Sequence, residues 1–178
     1  MGNLIADAML SRVQDQGVEI ALMNSGGIRA SIDEGEVTMG EVLTVLPFQN
    51  TLATFRLSGK DVVAALENGV SQVEEVKGRF PQVAGLKFIW DPEMPAGEGR
   101  VTEVLVAGPD GFAPIDPDRL YGVVSNDYVR KGGDGYDVFA DNAEDVYDYG
   151  PSLDAVVADF LSAGDDYEPA LDGRIATR

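Results

Sequence analysis

The sequence predicts an α+β fold: a mixed β-sheet with helices packed on it. Three observations carry this. Stretches with helical spacing of apolar residues interleave with short apolar or alternating runs of strand length. Two such runs, Leu86 to Trp90 and Val101 to Val106, flank a Pro- and Gly-rich excursion and read as a hairpin, which a purely parallel sheet would lack. The apolar fraction of 44% suits a packed core, and no apolar run approaches the length that crosses a bilayer.

Leu4, Ile5, Ala8, Met9 and Val13 recur at helical spacing, so the chain opens on an amphipathic helix ending near Gly17. Val18 to Met23 is a buried-strand candidate, followed by the turn Asn24-Ser25-Gly26-Gly27-Ile28-Arg29. Ser31 to Glu36 is polar loop. Thr38 and Glu41 form a capping box for a short helix with Val42, Leu43 and Leu46, and Pro47 ends it. Thr51 to Leu57 alternates as a strand. Ser58 and Asp61 suggest a second capping box, opening a helix with Val62, Val63, Leu66 and Val70. Gly78 to Gly85 reads as loop. After the hairpin, Pro109-Asp110-Gly111 and Asp116-Pro117-Asp118 are turns. Tyr121 to Ser125 is a third buried strand, running into the glycine-rich loop Asn126 to Tyr136. The acidic run Asp141 to Asp148 reads as a solvated face. Pro151 and Ser152 begin a last helix with Leu153, Val156, Val157, Phe160 and Leu161, and Ile175 falls in a possible edge strand.

Composition excludes several functions. A net charge of −18 opposes binding to nucleic acid or to anionic lipid. No cysteine means no disulfide framework and no thiolate chemistry, and no histidine means no Ser-His-Asp triad or His-based metal site in this chain. The start shows no basic segment leading into an apolar core, as a secretory signal would, and reads as a cut at a domain edge. Gly132-Gly133-Asp134-Gly135 lacks the Gly-Lys-Ser/Thr of a P-loop, and Asp134, Asp137 and Asp141 do not follow calcium-loop spacing.

An Asp/Glu-only magnesium or calcium site stays open in principle, and beside it the loops offer recognition chemistry. Arg29, at the end of a glycine turn, presents a planar fork of donors for phosphate or carboxylate. The Asn24 amide donates and accepts at once. Tyr128 and Phe48 are rings that can stack on a base, and Asp134 is a carboxylate that can accept from sugar hydroxyls. Taken singly, each of these residues reads better as structural: a surface arginine, a core ring, a turn aspartate.

Four motifs in one order change that balance: Asn24 to Arg29, Leu46-Pro47-Phe48-Gln49-Asn50, Phe80-Pro81-Gln82-Val83-Ala84-Gly85, and Asn126-Asp127-Tyr128 through Gly132-Gly133-Asp134-Gly135-Tyr136. With them the chain resembles, over nearly its whole length, the C-terminal substrate-binding domain of the 5′-nucleotidase family, which includes UDP-sugar hydrolases and 2′,3′-cyclic-nucleotide phosphodiesterases. The resemblance implies one domain over residues 1–178, part of a phosphoester hydrolase of nucleotide catabolism. Arg29 would meet phosphate, Asn24 the nucleoside, Phe48 and Tyr128 the two faces of the base, and Asp134 the ribose hydroxyls. Gly27 and Asn50 would line the pocket. No catalytic residue and no metal ligand is expected in this chain. Two divalent metal ions would belong to an N-terminal metallophosphatase domain, with which this domain would be partnered in the full-length protein, and this fragment alone would be inactive. A periplasmic or cell-surface location is implied, without membrane insertion. The family often has phenylalanine at the Tyr128 position and glycine at Ser25, and its further phosphate-binding arginines precede this chain's first residue. Two other readings are a free-standing nucleoside-binding module and the same domain of a sulfur-oxidation hydrolase. Only a base-binding site needs Phe48 and Tyr128 to face each other.

Overall fold

The computed structural model describes residues 1–164 and 166–178. Six helices and nine strands are described: α1 (Gly2–Val13), β1 (Ile20–Asn24), α2 (Met39–Val45), β2 (Leu52–Ser58), α3 (Gly59–Val70), β3 (Pro81–Ala84), β4 (Leu86–Trp90), β5 (Val101–Gly108), β6 (Gly111–Pro114), β7 (Leu120–Asn126), α4 (Asp127–Arg130), α5 (Asp137–Asp141), β8 (Glu144–Tyr147), α6 (Leu153–Ala163) and β9 (Ile175–Thr177). The fold is α+β, as the sequence predicts. Its strands form two mixed sheets, ordered β3-β1-β7-β2-β8 and β6-β5-β4-β9.

At the centre of the first sheet β1 and β7 are buried on both faces, which is why they read as continuous runs rather than alternating ones. Ile20 and Leu22 of β1 join Phe55 and Leu57 of β2, Leu66 and Val70 of α3, and Phe88 and Trp90 of β4 in one core. Ala21 and Met23 point the other way, into a second core built by α1, α2 and α6.

Both predicted N-caps form. Thr38 Oγ1 accepts from the Glu41 N–H at 3.3 Å, while Glu41 Oε2 accepts from the Thr38 N–H at 2.8 Å. At Ser58 the box is only half closed. The hydroxyl accepts from the Asp61 N–H, but the shorter Asp61 carboxylate takes the Ser58 hydroxyl instead of its backbone.

Three strands escape the sequence reading. Pro81 to Ala84, expected as loop, pairs antiparallel with β1. Proline is tolerated there because it opens an edge strand. β6 extends the β4–β5 hairpin beyond the Pro109 turn. β8 lies within the acidic run and is fully solvated, as expected of that run, yet it pairs antiparallel with β2. Its charges blunt an open sheet edge.

Arg100, 5% exposed, ties the excursion between β4 and β5 to α3. Its Nε donates to the Met94 carbonyl at 2.6 Å, Nη1 to the Val70 carbonyl at 2.8 Å, and Nη2 to Glu74 Oε1 at 2.5 Å. Glu67 accepts the N–H groups of Arg100 and Val101.

Candidate functional site

Sheet register collects the four motif loops at one end of the first sheet. β1 and β7 run parallel, with Ile20 beside Val123 and Ala21 beside Val124, so the turns after Asn24 and Asn126 emerge together. β2 runs antiparallel to β7, with Leu52 beside Asn126, so the loop carrying Phe48 enters at the same end. β3 starts there too, with Pro81 beside Asn24. Backbone bonds then join the loops. Ser25 N–H donates to the Phe80 carbonyl and Gly26 N–H to the Gly78 carbonyl, each at 2.8 Å, while Asp127 N–H donates to the Thr51 carbonyl at 2.9 Å. A Cβ on Gly26 would lie 2.9 Å from the Gly78 Cα. The two backbones touch, and a side chain at either position would part them.

At the centre is a chain of side-chain hydrogen bonds. Asn126, fully buried, caps α4 by accepting the Val129 N–H on Oδ1 at 2.8 Å. Its Nδ2 donates to Asn24 Oδ1 at 3.0 Å, and Asn24 Nδ2 donates to Asp134 Oδ2 at 2.7 Å. The Tyr128 hydroxyl donates to the other carboxylate oxygen, Oδ1, at 3.0 Å. Asp134 has φ 56° and ψ 26°, the left-handed region, which aspartate tolerates better than most residues. Its carbonyl accepts from Asn68 Nδ2 at 3.2 Å, and Asn68 Oδ1 accepts from Arg79 Nη1 at 2.9 Å. Tyr136, buried beneath, donates its hydroxyl to the Arg79 carbonyl at 2.7 Å. Burial raises the Tyr128 phenol above its ordinary pKa, and the hydrogen bond to the Asp134 carboxylate raises it further. Burial raises Tyr136 as well, and the Asp134 charge adds to the rise. Both phenols therefore stay protonated and act as donors at neutral pH.

Arg29 is exposed. Its backbone N–H donates to the Val45 carbonyl and its Nη1 to the Gly26 carbonyl at 3.3 Å. Among the described residues no ion pair engages it, so its guanidinium stands ready for an anion from solution. Phe48 and Tyr128 are 56% and 47% exposed. Phe48 shares a shallow depression with Gly27, Leu46, Asn50, Leu153 and Asp154. The loop is anchored by the Asn50 carbonyl, which accepts the Leu153 N–H at 2.8 Å.

Of the seven residues singled out in the sequence, six fall into two groups that meet at Gly27, and the seventh, Arg29, stands apart on the Gly26 carbonyl. Gly27, Phe48 and Asn50 line the depression, while Asn24, Tyr128 and Asp134 are hydrogen-bonded. A Cβ on Gly27 would lie 3.4 Å from Asn24 Oδ1. Asn24, expected to meet ligand directly, is 3% exposed, its amide enclosed between Asn126, which donates to Oδ1, and Asp134, to which Nδ2 donates. Sequence reading missed Asn126, Asn68 and Arg79. Asn126 carried a signal, since asparagine ahead of a short polar helix is an N-cap. Asn68 and Arg79 carried none, because only packing sets them beside Asp134. Among the described residues no group of three or more His, Cys, Asp or Glu could hold a metal ion. The arrangement sets an oriented carboxylate, an arginine with no ion pair among the described residues and two exposed rings at one sheet end.

Comparisons with known proteins agree with one another. The profile of the family described as 5′-nucleotidase, C-terminal domain, matches residues 1–141. The trifunctional nucleotide phosphoesterase protein YfkN of Bacillus subtilis is 42% identical over 98% of this chain, which corresponds to 12% of that protein. A 5′-nucleotidase of Diplobatis ommata is 32% identical over 98% of the chain and 32% of its own length. The crystal structure of a 5′-nucleotidase precursor from Thermus thermophilus superposes with a TM-score of 0.95 at 45% identity, over 99% of this chain and 34% of that one. The chain spans a third or less of the length of the curated relatives named here.

Proposed function

This chain belongs to the 5′-nucleotidase C-terminal domain family, and from that premise we propose that it is, as one domain over residues 1–178, the substrate-recognition part of a two-domain nucleotide hydrolase. The observation that carries the reading is the Asn126–Asn24–Asp134–Tyr128 hydrogen-bond chain, which aims a carboxylate at the sheet end where Arg29 and both rings are exposed. Asp134 accepts ribose hydroxyls. Phe48 and Tyr128 take the base between them, at roughly 1–3 kcal/mol per stacked ring. Arg29 meets phosphate, Gly27 and Asn50 shape the wall, and Asn24 acts on the ligand through Asp134. In the full-length protein two divalent metals of an N-terminal metallophosphatase domain supply the activation of water. This chain's residues bind and orient the nucleotide and carry out no step of hydrolysis. A periplasmic or cell-surface setting follows from the same family reading.

The test is binding without turnover. Titration with adenosine and AMP at high protein concentration is expected to show weak binding. Tyr128→Ala weakens both ligands, and Arg29→Ala weakens AMP more than adenosine. Phosphate release from AMP with added Mn²⁺ or Zn²⁺ stays at background. Metal-dependent turnover by this purified chain, abolished by a substitution within it, would overturn the assignment.

A further inference from the structure

Tyr128 and Asp134 are joined twice. The phenol O–H donates to Asp134 Oδ1 at 3.0 Å, and the Asp134 main-chain N–H donates back to the phenol oxygen at 3.2 Å. One hydroxyl carries a donor and two acceptor lone pairs, so both bonds form together and close a clasp across the loop. The ring is packed as well: a Cβ on Gly133 would lie 2.6 Å from two of its carbons. Glycine at 133 lets the ring lie against the loop backbone. Stacking alone would not require the hydroxyl, since a phenylalanine ring stacks too.

The carboxylate of Asp134 has about four acceptor positions. Asn24 Nδ2 takes one on Oδ2 and the Tyr128 hydroxyl takes one on Oδ1. One position is then left on each oxygen, side by side, in an orientation both partners hold. Two adjacent hydroxyls of a sugar match that pair. We propose that the Tyr128 hydroxyl is a positioning group for specificity: together with Asn24 it fixes the Asp134 carboxylate so that ligands carrying a vicinal diol are selected over those without one. This rests on the reading that Asp134 meets sugar hydroxyls. It assigns to the Tyr128 hydroxyl a role separate from the stacking of its ring.

The experiment compares adenosine with 2′,3′-dideoxyadenosine by NMR titration of wild type, Tyr128→Phe and Asp134→Asn. Amide exchange at residue 134 is measured in the ligand-free chain. Wild type prefers adenosine. Tyr128→Phe keeps the ring but loses about fivefold of that preference, the ordinary worth of one hydrogen bond, and its residue 134 amide exchanges faster. If Asp134→Asn loses the preference and Tyr128→Phe keeps it, the carboxylate reads the sugar and the hydroxyl does not, and the inference fails alone. Unchanged amide exchange in Tyr128→Phe refutes the clasp. Failure of wild type to bind either nucleoside removes the functional reading and the inference with it.

Discussion

Asn24→Ala should be among the most damaging single truncations near the site, for reasons that can be worked through bond by bond. The substitution removes the acceptor of Asn126 Nδ2, a group on a fully buried side chain. A buried donor left without a partner costs about 2 kcal/mol. It also removes the 2.7 Å bond to Asp134 Oδ2. Asp134 is half-buried, so water recovers part of that loss, and about 1 kcal/mol remains. A total near 3 kcal/mol lowers the melting temperature of a chain this size by roughly 6–12 °C. Urea unfolding followed by circular dichroism and Trp90 fluorescence measures it. A companion variant sharpens the test. Asn24→Asp keeps an acceptor for Asn126 but sets a carboxylate against Asp134, where the native atoms are 2.7 Å apart. Two such carboxylates cannot both ionise, so in the folded state one holds its proton to a higher pH than in the unfolded chain. A carboxyl raised on folding favours the folded state at low pH and penalises it as pH rises. The deficit of Asn24→Asp against wild type should therefore shrink as pH is lowered from 7 toward 5, while that of Asn24→Ala stays level. A loss below about 1 kcal/mol for Asn24→Ala, or parallel pH profiles for the two variants, would refute the argument.

Arg100→Ala should destabilise by about 2 kcal/mol, because the buried Val70 carbonyl loses its partner, while the Met94 carbonyl, on an exposed residue, turns to water. Arg100→Lys should recover only part of this, since a lysine is a point donor and cannot fork to three partners; urea melts showing lysine equal to arginine would contradict the clamp. Acid should also weaken the fold. Hydrogen bonds from the Thr38 backbone and hydroxyl lower Glu41, and those from Arg100 and Arg174 lower Glu74 and Asp172. Carboxylates lowered on folding stabilise the chain above their ordinary values, and that contribution is lost as pH falls through the folded ones. Calorimetry in 0.5 M salt, which screens the general repulsion of a chain of net charge −18, should show melting temperatures dropping below the ordinary carboxylate range. Glu74→Gln should show a smaller drop, and an equal drop would place the linkage elsewhere.

Several elements were legible because their signals are local. The Thr38–Glu41 box, the Pro47 stop and the alternation of β2 each lie within a few residues and report backbone preferences that survive burial. The four motifs were legible as a set, because their order in the chain carries a resemblance that no one of them does. β3, β6 and β8 were not, since short edge strands draw their hydrogen bonds from a neighbour that local sequence does not name.

The sequence by itself determined the inventory of this protein: an acidic chain with no histidine or cysteine, an arginine beside a glycine turn, and an aspartate in a glycine-rich loop. It therefore excluded thiolate chemistry, a Ser-His-Asp triad and a histidine-based metal site within this chain. Only the tertiary structure decided which of those groups face solvent and which serve one another. Asn24 and Asp134 lie 110 positions apart, and their 2.7 Å bond exists because β1 and β7 run parallel in a register that brings their ends together. The same register sets Asn126 behind Asn24, so that Asn24 links Asn126 to Asp134. Arg79 joins through α3 and the approach to β3, by packing that leaves no mark in its neighbouring residues. Burial and partnership are properties of pairs distant in sequence, and the physical reason they escaped a residue-by-residue reading is that sheet register, not local propensity, sets the distance between them.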